Sequence, residues 1–254
     1  TNNATDSFNL AVECISEYIQ GCDEVLVSVA EHHSNMLPYA KLQKKGVRIK
    51  IIGIQDGLIN ISEIEKNLSS RTKIVAVGHC SNVLGNINKI TEIGELVKKF
   101  NENIFYIVDG TQAVAHIPVN AKESKADFYG FSGHKMYGPD GIGVLYVAKN
   151  IHHKISPSRV GGATVKNVAI SREEESDIIS PEYYQSLIVL EGGTPNVSNI
   201  IGLSKAVNFI RSIGFDEIRN HELKLLQLLL EGLRSIPEIK IFGPSDLKNK
   251  IGVV

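Results

Sequence analysis

Two spacings of apolar residues alternate through most of the chain. Short runs rich in Val, Ile and aromatic residues, EVLVSVA (24–30), VRIKIIGI (47–54), TKIVAVGHC (72–80), NIFYIVDG (103–110), DFYGFSG (127–133) and IGVLYVA (142–148), predict strands. Several are apolar enough to be buried on both faces. Helical spacing lies between them. Phe8, Ala11, Val12, Ile15 and Ile19 recur at three- and four-residue steps, and TEIGELVKKF (91–100) opens with Thr and Glu and closes on lysines, which suits the helix dipole. The alternation implies a mainly parallel, doubly wound α/β sheet. After Asn196 the pattern changes: IIGLSKAVNFIRSIG and FDEIRNHELKLLQLLLEGLRSI read as consecutive helices broken at Gly214, and EIKIFGP as one lone strand. A strand cannot satisfy its own edges. The expected division is therefore a large α/β domain over 1–205, then linking helices and the start of an α+β unit over 206–254 that is incomplete in this chain.

Open α/β sheets bind ligands beyond the C-terminal ends of their strands. Polar clusters stand at four such ends: EHHSN (31–35), HCSN (79–82), DGTQ (109–112) and SGHK (132–135). Their convergence on one rim is a site hypothesis. Asp109 follows the apolar YIV, so its half-buried carboxyl needs a cationic or protonated partner. Lys135, in a Gly-bounded turn, can be desolvated enough to attack carbonyls. An Asp, a Lys, a helix N-terminus bearing Asn and Thr, and a His able to stack together fit pyridoxal phosphate.

Composition narrows the partners. The chain has 254 residues, 43% hydrophobic, with a formal net charge of -1 and no basic stripe, so nucleic acid and acidic membrane surfaces have little support. No apolar run approaches the ~20 residues of a membrane span, and TNNATDSFNL lacks the pattern of a signal peptide. A cytoplasmic protein is expected. The three cysteines, Cys14, Cys22 and Cys80, have no CxxC spacing and an odd count, which argues against a disulfide framework or a structural zinc site.

The blocks VDGTQAVAHIPVN and DFYGFSGHKMYGPDGIGVLYV, with EHHSN, HCSNVLG and LEGGTPN, resemble the class V aminotransferase group of fold-type I pyridoxal-phosphate enzymes. The likeness is greatest to cysteine desulfurases of the sulfur-mobilising type. It extends to about residue 210. The resemblance implies a large domain of that fold and pyridoxal 5'-phosphate as cofactor. Lys135 would hold the cofactor as a Schiff base and shuttle the Cα proton. Asp109 would pair with the pyridine nitrogen, Gln112 would bond the ring oxygen, and His32 would stack on the ring and serve as acid and base. Thr5, Ser132 and His134 would hold the phosphate, with Thr194 reaching it from the other subunit of a homodimer. Asn82 would lie near the substrate carboxylate and the ring oxygen.

The implied reaction takes sulfur from L-cysteine, leaving alanine and a persulfide that passes to a sulfur-acceptor protein for iron-sulfur cluster or other sulfur-compound synthesis. A related carbon–sulfur lyase, a selenocysteine lyase, an amino-acid epimerase and a non-catalytic cofactor-binding scaffold stay open as other readings. Departures from the family pattern bear on that choice. Asn3-Ala4-Thr5 stands where Gly-Thr-Thr is usual, and SPSRVGGATV replaces a tryptophan-bearing segment. The family's acceptor cysteine and carboxylate-binding arginine are expected beyond this chain. The remaining histidines read as structural or surface groups, Cys80 as a small residue ending a buried strand, and REEESD (172–177) as a solvated loop.

Overall fold

A computed structural model describes residues 1–173 and 176–254. Its strands are β1 (Glu24–Ser28), β2 (Arg48–Ile52), the short pair β3 (Ile54–Gln55) and β4 (Leu58–Ile59), β5 (Thr72–Gly78), β6 (Phe105–Asp109), β7 (Phe128–Ser132), β8 (Gly143–Val147), β9 (Val165–Ser171) and β10 (Ile178–Tyr183). Its α-helices are α1 (Ala4–Cys14), α2 (Leu37–Leu42), α3 (Ile61–Asn67), α4 (Ile90–Phe100), α5 (Val197–Ile213) and α6 (Phe215–Arg234). Each of the expected strands before residue 150 is present. They form one sheet in the order β2-β1-β5-β6-β7-β8, parallel throughout except for the antiparallel pair β7–β8.

Period-two alternation divides the apolar side chains between two faces. Val25 and Val27 of β1, with Ile74, Ala76, Ile107 and Phe128, pack beneath Phe8, Ala11 and Ile15 at α1. Leu26, Val75, Val77 and Val108 point the other way, against Ile93 and Val97 of α4 and Leu203 and Ile210 of α5. Each such Val, Leu or Ile, fully buried, contributes about 1.5–3 kcal/mol. Helices on both faces of a mostly parallel sheet are therefore what these sequences dictate.

The C-terminal part differs from expectation at two places. EIKIFGP (238–244) forms no strand; Phe242 is exposed, and Gly243 turns at φ +97, where a Cβ would run into the Leu84 carbonyl. The pairing that a lone strand would lack is found further along: Ile87 N–H donates to the Asn249 carbonyl at 2.8 Å, and Ile251 N–H to that of Gly85 at 2.7 Å. SLIVL (186–190), whose apolar run reads as a strand, is instead a single 3-10 turn at Leu187–Leu190. Ahead of both lies a feature the apolar pattern does not announce. β9 and β10 form an antiparallel hairpin with both faces exposed, so Val168, Ile170, Ile178 and Ile179 have no core to alternate against. Arg172, Glu173, Ser176 and Asp177 of the connecting run are solvent-exposed, and Glu174 and Glu175 lie outside the described residues.

Candidate active site

The C-terminal ends of β1, β5, β6 and β7 open into one cavity of about 330 Å³. His32, Asn82, Asp109, Gln112, Ser132, His134, Lys135 and Thr5 all line it. Thr194 does not. It is exposed on the bend before α5, where the Gly193 N–H donates to the Gly162 carbonyl at 2.8 Å.

The wall of the cavity at α1 is built for an anion. The N–H groups of a helix's first turn have no partner within the helix and carry its positive dipole end. Asn3 caps α1 by accepting from Asp6 N–H at 2.9 Å, and Ala4 N–H donates to Ser132 Oγ at 2.8 Å, which leaves the Ser132 hydroxyl hydrogen free for a ligand. Burial would raise the Asp6 carboxyl, but Arg159 and the Asn2 N–H, at 2.8 Å, hold it below the usual carboxylate range. Gly143 is required here: a Cβ would meet the Asn3 backbone at 2.7 Å, separating β8 from the start of α1.

The floor is acidic. Asp109 is buried, and its Oδ1 accepts from Thr111 N–H at 2.9 Å. Burial pushes this carboxyl above its ordinary range, and the Thr111 donor and the nearby His32 offset only part of the effect. The Thr111 hydroxyl is buried without a hydrogen-bond partner among the described residues. On the loop after β1, His32 Nδ1 accepts from Ser34 N–H at 3.1 Å and lies 2.7 Å from the Ser34 hydroxyl, which fixes the ring's orientation. Lys135 projects from the turn Gly133–Met136, which Tyr137 closes in the left-handed conformation at φ +64.

The donor set fits pyridoxal 5'-phosphate. A buried carboxylate without a protein cation receives one from a protonated pyridine ring, the α1 end with Ser132 and His134 suits a phosphate, and an amine stands in the same cavity. Ala4 brings no hydroxyl to this wall, so its polar groups are Thr5, Ser132 and the backbone N–H groups of the first turn.

Two nucleophiles are set aside by their surroundings. Cys80 borders the cavity, but burial pushes its thiol up to about 12, so it stays protonated and unreactive near neutral pH. Lys250 is buried with Nζ donating to the Leu84 carbonyl at 2.6 Å, and burial lowers its ammonium; it does not border the cavity. His79 is a core group: its Nδ1 lies 2.9 Å from the Tyr129 hydroxyl and burial lowers it to about 4. Sequence reasoning assigned no role to Glu31, which is buried on the cavity floor. Its signal is close to the one that found Asp109, an acid at the end of the apolar run EVLVSVA.

Comparison with known proteins agrees with this geometry. The aminotransferase class-V family profile matches residues 1–254. A probable cysteine desulfurase of Pyrococcus abyssi is 37% identical over 257 residues, covering 100% of this chain and 61% of its own length. A cysteine desulfurase of Salmonella newport is 33% identical over 253 residues, covering 98% of this chain and 59% of its own. Among solved structures, the apo cysteine desulfurase of Thermococcus onnurineus NA1 matches with a TM-score of 0.89 at 33% identity, over 99% of this chain and 61% of that one. The chain spans about three fifths of the length of these relatives.

Proposed function

The chain belongs to the class-V aminotransferase family, and from that premise we propose that it is the cofactor-binding part of a pyridoxal-phosphate-dependent cysteine desulfurase acting in the cytoplasm. The observation that carries this reading is the single cavity in which the Lys135 amine, the buried Asp109 carboxyl and the α1 N-terminus meet. Its nearest support beyond the geometry is the activity named for the relatives above.

When bound, the cofactor supplies an electron sink that lowers the cost of removing the proton from the Cα of an amino acid. The residues of this chain do the rest. Asp109 holds a positive charge at the ring nitrogen. His32, its ring fixed by Ser34, would help hold the cofactor ring and carry a proton to or from the substrate thiol. Lys135 would hold the cofactor through its amine and would take and return a proton at the substrate carbon. Asn82 and Gln112 orient substrate carboxylate and ring oxygen. Sulfur is then taken by a cysteine thiolate, leaving L-alanine and a persulfide. Cys14 is buried, Cys22 lies before β1 at the opposite end of the sheet from the cavity, and Cys80 is held as a thiol, so none of the three is placed for that attack. The acceptor is therefore a cysteine other than these, and the sulfur goes on to an acceptor protein for iron-sulfur cluster or other sulfur-compound synthesis.

Incubation of the full-length protein with L-cysteine tests the reaction class. Alanine with persulfide is expected; pyruvate with free sulfide would make it a lyase, and neither product would leave only a binding scaffold. In the same reading the division near residue 205 separates a cofactor-binding unit from a C-terminal one, with α5 as their continuous link.

Assembly belongs to this proposal. Thr194 is exposed and outside its own cavity, a position suited to reaching the phosphate of a second subunit across a two-fold interface. Thr194→Ala is expected to weaken cofactor retention about tenfold, the scale of one lost hydrogen bond to a charged group. Mixed with Lys135→Ala, it should form dimers with one doubly defective and one intact site. Cofactor binding at the intact site is then recovered. A mixture that exchanges subunits yet shows no recovery would remove Thr194 from the neighbouring site.

A further inference from the structure

Glu31 forms a second carboxyl on the cavity floor, and its bonding pattern is unlike that of a simple structural acid. Its Oε1 accepts from Gly78 N–H at 2.7 Å, and its Oε2 lies 2.6 Å from the Asn35 side-chain amide. Asn35 Oδ1 in turn accepts from the Tyr39 hydroxyl at 2.9 Å. Gly78 is paired in register with Asp109 on the neighbouring strand, so the two carboxyls flank the same strand ends.

This relay has an arrangement for either protonation state of Glu31. With Glu31 ionised, the Asn35 amide donates to it and the Tyr39 hydroxyl donates to Asn35. With Glu31 protonated, turning the amide over lets the Glu31 O–H donate to Asn35 Oδ1, while Asn35 Nδ2 donates to the Tyr39 oxygen; Glu31 and Asn35 keep their partners, and Tyr39 changes from donor to acceptor. The 2.6 Å contact is below the usual N–H···O range and within that of O–H···O.

We propose that Glu31 is the proton store of this site, keeping a proton while Asp109 has no cation and releasing it when a cationic ring settles beside Asp109. The inference rests on the pyridoxal-phosphate reading above and adds to it a residue acting through Asp109 rather than on the substrate. The charged and titratable groups around Glu31 are Asp109 and Tyr106 from β6, Tyr39 from α2, His32 on its own loop, and Lys135 across the shared cavity. Burial first, and then the like charge of Asp109, lift the Glu31 carboxyl from its ordinary 4.5 to about 8, although Asn35, Gly78 and Ser28 all donate to it. A cation at Asp109 cancels the like-charge contribution and so shifts Glu31 toward its ionised form. The proton lost by Glu31 goes to solvent and balances the one gained at the ring nitrogen. The loaded site thereby keeps Asp109 and Glu31 both negative around one cation, which holds the nitrogen protonated.

Calorimetric titration of pyridoxal 5'-phosphate into the cofactor-free full chain, repeated near neutral pH in buffers of different ionisation enthalpy, counts the protons exchanged. Glu31→Gln keeps a hydrogen-bonding side chain of the same shape but has no proton to release. It is expected to take up about half a proton to one proton more from the buffer than the native chain. Equal counts in the two proteins would overturn the proton store and leave the cofactor reading intact. Failure of the native chain to bind the cofactor at all would overturn both. Should the variant not fold, infrared difference spectra of the native chain decide the matter: loss of a protonated-carboxyl band on binding is expected, and no loss contradicts the inference.

Discussion

Replacing Lys135 by alanine is expected to lower alanine formation from L-cysteine by about 10⁴-fold or more, with the fold unchanged. Positioned proton transfer alone contributes about 10²–10⁴-fold, and in the proposed role the same amine would also anchor the cofactor covalently, so both contributions would be lost together. The fold should not notice. Lys135 is exposed, its turn is set by Gly133 and the left-handed Tyr137, and neither the turn nor the core beneath it depends on the amine. Thermal unfolding should stay within about 0.5 kcal/mol of the native chain, as for other exposed substitutions. Turnover and melting measured on one preparation check both halves. A variant retaining more than about one hundredth of native turnover would contradict the role given to this lysine, since even the smallest acid–base contribution is ~10²-fold.

The second large effect divides function from stability. Asp109→Asn preserves the shape and keeps an acceptor for the Thr111 N–H, but removes the negative charge. Leaving a buried cation without its partner costs about 3–5 kcal/mol, or about 10²–10⁴-fold in the step that needs the protonated ring. The cofactor-free chain should respond in the opposite sense. Asp109 has a raised folded value, so its ionised form opposes folding, and this penalty grows as pH rises from the ordinary carboxylate range through that value. Asparagine has no such penalty. The empty variant should gain stability relative to the native chain as pH rises from the ordinary carboxylate range, and near neutral pH should melt no lower than it, while turnover collapses. A variant that loses activity and stability in parallel would instead make Asp109 a packing residue.

Much of this arrangement is legible in the order of residues because the sheet is buried on both faces. A strand such as FYIVD has no polar side to disguise it, and the first polar residue after it must stand at the strand's end. This is how Asp109, Lys135, His32 and Asn82 could be placed on one rim from the order of residues alone. The same logic fails where burial fails. The β9–β10 hairpin is exposed on both faces, so its Val and Ile positions carry no alternation that distinguishes strand from loop. EIKIFGP has the alternation of a strand but no neighbour to bond, and its region instead serves as the approach to the pairing of Asn249 and Ile251 with the loop that carries Asn82. Glu31 was visible as a residue and illegible as a function, since its meaning lies in Gly78, Asn35 and Asp109, which are distant in the chain or silent in pattern. Thr194 is the reverse case: its proposed role comes from resemblance, and the structure shows only that it is exposed and outside its own cavity.

The most direct test is to reduce the protein with borohydride after loading it with pyridoxal 5'-phosphate, then to map the pyridoxyl group by peptide mass spectrometry. The label should lie on Lys135, within the turn Gly133–Met136. A label on another lysine, the buried Lys250 among them, or no covalent label on a chain that has bound the cofactor, would contradict the assignment of this cavity.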